Sequence, residues 1–211
     1  MRSLFVVGLC SLIAGCASAP PASQRQAARH RDSVGTHQRP PSADVPAAPA
    51  DLPAFCASHP CRRDVTIRLH RTDGSVFEEH KDFMQPPVQD TVVTVLPGET
   101  VRFVPVWKDG AFAYWREPGG SDSPDTQVFS VKLEETDEHK GTMMGIITNS
   151  GAHTAKLRLE MLRLDDDASH YTSSCPIMPG KTSFELWPEP VFTLVVTSAE
   201  ILGPDAKMVC D

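Results

Sequence analysis

The side chains in this chain best suited to chemistry are its cysteines and histidines, and their spacing decides what that chemistry is. Cys175-Pro-Ile-Met178 offers a thiol and a thioether, with His170 five residues upstream. A copper electron-transfer site needs a thiolate and two imidazoles in a trigonal plane, yet no His lies between Cys175 and Met178 or after them. The pair Cys175 and His170 also has the composition of a nucleophile and its base. Cys56-Ala-Ser-His59-Pro-Cys61 has the composition of a metal or redox loop, but neither Cys-x-x-Cys spacing nor a second ligand pair accompanies it. Three acidic runs occur, Glu78-Glu79-His80-Lys81-Asp82, Asp137-Glu138-His139 and Asp165-Asp166-Asp167. None has the alternating oxygen ligands, turn glycine and distal bidentate Glu of a calcium loop. His80, His139, His153 and His170 each stand alone in polar surroundings. A nucleophile elbow, a His-Glu-x-x-His helix and a Ser-x-x-Lys pair are all absent from the sequence. The expectation is a protein that is not an enzyme and carries no cofactor.

Another constellation points to binding. Trp107, Phe112, Tyr114 and Trp115 place four of the chain's fourteen aromatics within nine residues around Lys108-Asp109-Gly110. Asp-Gly is a turn signal, so this segment reads as a hairpin. If Trp107 pairs with Ala111 across a three-residue loop, Phe103, Trp107 and Trp115 share one face, while Val104, Val106, Phe112 and Tyr114 share the other. A hairpin tip is commonly exposed, and exposed aromatic clusters bind partners. These four residues are the candidate binding site.

The elements that hold these residues are strands. Val65, Ile67 and Leu69 alternate with polar neighbours, as do Phe129, Val131 and Leu133, and again Ala155, Leu157, Leu159 and Met161. Residues 90–96, 99–106, 142–148 and 190–197 are further strand candidates, for eight or nine in all. Pro97-Gly98 marks a turn, and Asn149-Ser150-Gly151 is expected to close a hairpin. Residues 77–84 fit at best one short helix. Many short strands, with no helices to cover a parallel sheet, predict an all-β fold: an antiparallel β-sandwich with a Greek key, or secondarily a small barrel. Val95-Leu-Pro-Gly-Glu-Thr-Val-Arg-Phe-Val104 resembles the cupredoxin strand that begins with a Pro-Gly turn, a pattern shared by immunoglobulin-like modules. This resemblance implies an immunoglobulin-like or cupredoxin-like sandwich.

The start of the chain addresses location. Residues 1–16, MRSLFVVGLCSLIAGC, carry one Arg, an apolar stretch from Leu4 to Ile13 and small residues before a cysteine. That is the layout of a secretory signal, too short to remain as a spanning helix. Ile13-Ala14-Gly15-Cys16 resembles the lipobox of bacterial lipoproteins, which implies cleavage before Cys16 and lipidation of Cys16. The partner so implied is the lipid bilayer, entered through the acyl chains on Cys16, each buried CH₂ contributing about 0.8 kcal/mol. Ala17 after the cysteine, by the same resemblance, implies the outer membrane, with the protein facing the periplasm.

Residues 17–53 contain nine Ala, seven Pro and four Ser. Such a stretch cannot bury enough surface to offset its conformational entropy, so it reads as a disordered tether in which His30 and His37 are solvated. The organisation expected is a signal peptide at 1–15, the lipidated cysteine and tether at 16–53, and a folded domain at 54–211. Once Cys10 leaves with the leader and Cys16 is lipidated, four cysteines remain. An even set in an exported domain reads as two disulfides, favoured as Cys56–Cys61 and Cys175–Cys210. Residues 55–211 carry fifteen Lys and Arg against 24 Asp and Glu, a net charge of −9. That acidity, with no basic stripe, argues against nucleic acid as a partner and against direct docking on anionic lipid.

The expected function is that of a membrane-anchored lipoprotein of the bacterial envelope, acting as a non-enzymatic binding or assembly module for an envelope protein or glycan. The alternatives are a copper carrier with a cupredoxin-like fold and an envelope hydrolase with an unrecognised site.

Overall fold

The computed structural model describes residues 51–123, 125–166 and 168–210. The leader, Cys16 and the tether as far as residue 50 lie outside the described residues, as do Pro124 and Asp167. A short helix, α1 (Leu52–Cys56), comes first. Asp51 caps it, its Oδ1 accepting from Ala54 N at 3.0 Å.

Eleven strands follow among the described residues: β1 (Arg62–His70), β2 (Val76–Met84), β3 (Val93–Val95), β4 (Thr100–Lys108), β5 (Ala111–Arg116), β6 (Phe129–Glu135), β7 (Met143–Asn149), β8 (Ala155–Arg163), β9 (Ser169–Thr172), β10 (Lys181–Trp187) and β11 (Val191–Ile201). They form three antiparallel sheets, ordered β1-β2, β10-β7-β6-β4-β5 and β3-β11-β8-β9. The fold is all-β. Alternation places Phe129, Val131 and Leu133 of β6 and Met143 and Ile147 of β7 in the same buried cluster as Leu157 and Leu159 of β8 and Leu194 and Val196 of β11. Ile67 and Leu69 of β1 join it.

Two local expectations are corrected. Residues 77–84 are strand rather than helix, because pairing with β1 runs from Arg62↔Met84 to His70↔Val76 and supplies the ladder that local pattern does not reveal. Asn149-Ser150-Gly151 does not close a hairpin: β7 pairs with β6 and β10, whereas β8 pairs with β11 and β9. The segment crosses from one sheet to the other. The buried Asn149 side chain holds it there, with Nδ2 donating to His153 O at 2.9 Å and Ile177 O at 2.8 Å, and Oδ1 accepting from Gln127 Nε2 and Gly151 N. A Cβ on Gly151 would lie 2.2 Å from Gln127 Oε1, so only glycine fits.

Charged pairs fasten the β1–β2 hairpin to the other sheets. Arg62, its side chain 8 % exposed, makes a bidentate pair with Glu99 at 2.6 and 2.7 Å and also donates to Gln85 O, Thr94 Oγ1 and Thr94 O. At the other end, Glu135 accepts from Gly141 N at 2.7 Å and from His70 N, and its second oxygen lies 2.7 Å from His70 Nδ1. Among the described residues, the four cysteines form two intramolecular disulfides, Cys56–Cys61 and Cys175–Cys210. Among the described residues, no helix is long and apolar enough to cross a membrane.

Candidate functional site

The aromatic hairpin is β4–β5, and its turn differs from the three-residue loop expected. Asp109 and Gly110 both have positive φ, 52° and 81°. They form a two-residue turn that pairs Lys108 with Ala111 and, past an irregularity after Val106, Trp107 with Phe112. Two positive φ values match the right-handed twist of flanking strands, which is why Asp-Gly turns of this length are favoured.

The hairpin's aromatics fall into two groups. Trp115 is 1 % exposed and lies in the core, edge-on to Phe103 at 5.0 Å between centroids and 4.5 Å from Phe112. Its Nε1 is buried without a hydrogen-bond partner. Trp107 and Phe112 are half-buried and pack against the core cluster. Tyr114 is half-buried beneath Lys108 Nζ, 5.5 Å from the ring centroid. The strand therefore uses these rings mainly as packing.

The polar clusters bond chiefly within themselves, although Arg163 Nε is buried without a hydrogen-bond partner. Asp166 Oδ2 lies 2.6 Å from both Arg163 Nη2 and His170 Nε2, and Arg163 Nη1 reaches Glu189 at 3.1 Å. Hydrogen bonds from Ala168 N, Arg163 and His170 lower the Asp166 pKa to about 2. Ser169 donates to Glu160 at 2.6 Å, so it is not aligned on the adjacent His170 as a nucleophile. On β2, His80 lies between Asp64 at 3.5 Å and Asp82 at 3.3 Å, while Lys81 pairs with Glu79. Asp137 pairs with Lys140 in the 136–142 loop. Among the described residues, no three His, Cys, Asp or Glu side chains converge as metal ligands. The sulfur of Cys175 is bonded to Cys210, so in this structure it is neither a thiolate ligand nor a nucleophile.

The surface feature that sequence reasoning passed over lies on β10. Its polar residues Ser183 and Glu185 share the inner side with buried Trp187, while Phe184 and Leu186 face outward at 62 % and 63 % exposed. Across the ladder to β7, Phe184 pairs with Ile146 and Leu186 with Met144. One step further, Ile146 pairs with Lys132 of β6 and Met144 with Glu134, and these two charges form an ion pair. The result is a two-by-two apolar block on the outer face of the five-stranded sheet, bordered by charge on one side and by the sheet edge on the other. At its lower end, Met144 and Leu186 line a cleft of about 430 Å³ with Glu134, Glu135, Asp137, Glu138 and His139.

The inversion has a local cause. Trp187 Nε1 donates to Thr172 Oγ1 of β9 at 2.7 Å, and its ring lies over Gly145, where a Cβ would be 2.7 Å from the ring. Cys175 N donates to the Glu185 carboxylate, which also accepts from Ser183 Oγ. With the largest side chain and these hydrogen bonds directed inward, the period of two sends Phe184 and Leu186 to solvent. The alternation of Ser183, Phe184, Glu185 and Leu186 was a signal that could have identified a strand, though not its orientation. No family model, curated protein or solved structure matches this chain.

Proposed function

We propose that this chain is a lipid-anchored protein of the bacterial envelope whose folded part, an antiparallel β-sandwich built from the two larger sheets, serves as a non-enzymatic binding or assembly module. The observation that carries the binding reading is the outward apolar block of Phe184, Leu186, Met144 and Ile146 at an open sheet edge. Contiguous apolar surface rimmed by charge marks interaction sites, because leaving it in water is unfavourable unless a partner covers it. Recognition is thereby assigned to β10 and β7 in preference to the hairpin, whose Trp115 is part of the core. Support for export comes from the two disulfides, which persist in oxidising compartments, and from the lipobox-like Ile13-Ala14-Gly15-Cys16. Support for a role other than catalysis comes from Cys175, whose sulfur is bonded to Cys210, and from Ser169, which donates to Glu160 rather than to His170.

The anchor is tested by metabolic labelling with a fatty acid. The full chain is expected to label and fractionate with membranes, whereas Cys16→Ala is expected to lose label and remain unprocessed or soluble. Normal labelling of Cys16→Ala would refute the anchor.

A further inference from the structure

Of the sheet edges among the described residues, β10 is the one built to accept another strand. β3 has three residues and is bridged by Val88, with Thr94 N bonded to Pro87 O. β9 has four residues. β5 gives Trp115 N to Asp90 O, and its Arg116 pairs with Asp122. β1 and β2 are long, but Arg62, Arg63, Asp64, Arg68, Glu78, Glu79, Lys81 and Asp82 stud them with charge, a common protection against edge pairing. β10 has seven residues paired to β7 in unbroken register from Lys181↔Asn149 to Trp187↔Met143, with no bulge and no proline. Its outward face is the apolar block, and its inward Glu185 is already engaged by Cys175 N and Ser183 Oγ.

We infer that β10 pairs antiparallel with β10 of a second copy of this chain, joining two five-stranded sheets about Phe184. The inference rests on the binding-module reading and names its partner. Pairing centred on Phe184 overlaps all seven residues and sets Phe184 against its own copy and Leu186 against Thr182. It also carries Lys181 of each copy to the Trp187 end of the other. That end holds the acidic loop, since Glu135↔Met143↔Trp187 is one row of the sheet and residues 136–142 follow it, with exposed Glu138 and with Asp137, which already pairs with Lys140 of the same loop. Each copy thus presents a cation at one end of the edge and carboxylates at the other, and a two-fold axis brings opposites together. Met178, just before β10 at the Lys181 end, is a further exposed apolar side chain.

The test uses the full chain carrying a photo-cross-linking phenylalanine analogue at position 184 in its native envelope, together with sedimentation of the purified full chain in detergent. Expected results are a cross-linked species of twice the chain mass and a concentration-dependent dimer. Phe184→Lys with Leu186→Lys is expected to sediment as a monomer, with a melting temperature equal to that of the wild type when both are measured dilute enough to be monomeric, both sites being exposed in this chain. Lys181→Glu is expected to weaken the dimer about tenfold. A dimer that survives Phe184→Lys with Leu186→Lys, or is indifferent to Lys181→Glu, overturns the proposed register. A monomeric wild type whose position 184 cross-links to a different protein overturns the self-pairing while leaving the binding-module reading intact. A monomer that cross-links to nothing removes both.

Discussion

The β4–β5 hairpin and the β10–β7 edge treat apolar side chains in opposite ways. The hairpin concentrates aromatic residues, and its central one, Trp115, is taken into the core against Phe103 and Phe112. β10 is a polar-looking strand, Lys-Thr-Ser-Phe-Glu-Leu-Trp, and it leaves Phe184 and Leu186 in solvent. Aromatic density therefore marks where this protein packs, while a modest alternating strand with its faces exchanged marks where it has surface to offer. Natural sequences depart from apolar-inward patterning chiefly where function requires it.

The largest effect that could break this contrast is on Trp115. Trp115→Ala is expected to lower stability by about 3 to 5 kcal/mol, the range for truncating a buried aromatic, as read by denaturant unfolding. A loss below about 0.5 kcal/mol, typical of surface positions, would return Trp115 to the surface and reinstate the hairpin as a binding site.

The disulfides sharpen the contrast next, since one of them fastens the segment that leads into β10. Cys175–Cys210 closes a separation of 35 residues and Cys56–Cys61 one of five. In the chain-entropy model, removing them costs roughly 4 and roughly 2 kcal/mol respectively. Paired Cys→Ala variants, compared by unfolding, should preserve that order.

Acid should act at the loop beside Leu186. Burial opposes ionisation of Glu135, but hydrogen bonds from Gly141 N and His70 outweigh it and lower its pKa. A carboxylate depressed in the fold contributes stability above its unfolded pKa, and that contribution disappears as pH falls through the folded value. Wild type is expected to lose stability on acidification below the usual carboxylate range, and Glu135→Gln to lose less over the same interval. Parallel slopes for the two proteins, measured by unfolding across a pH series, would deny Glu135 this role.

The smallest expected effect is on β10 itself. Phe184→Ala and Leu186→Ala should each change stability by no more than about 0.5 kcal/mol, since neither is buried. A loss comparable to that of Trp115→Ala, measured on a monomeric preparation, would mean that the outer face is covered within one chain.

The sequence alone determined much of the local structure. Alternation located β1, β6 and β8, apolar runs located β3, β4, β7 and β11, and Asp109-Gly110 located the hairpin turn, because side chains of period two and positive-φ residues leave a signature within a few positions. An even cysteine set pointed to the two disulfides for similarly local reasons of loop length and compartment. Tertiary structure decided the rest. β2 became a strand only because β1 lies beside it, and Asn149 sent the chain across to another sheet because its amide found His153 O and Ile177 O. Above all, a period of two declares that a strand has two unlike faces without saying which one is inside. On β10 that choice was made by Trp187, which fits over Gly145 and bonds Thr172, partners distant in sequence that become neighbours only when the sheets assemble.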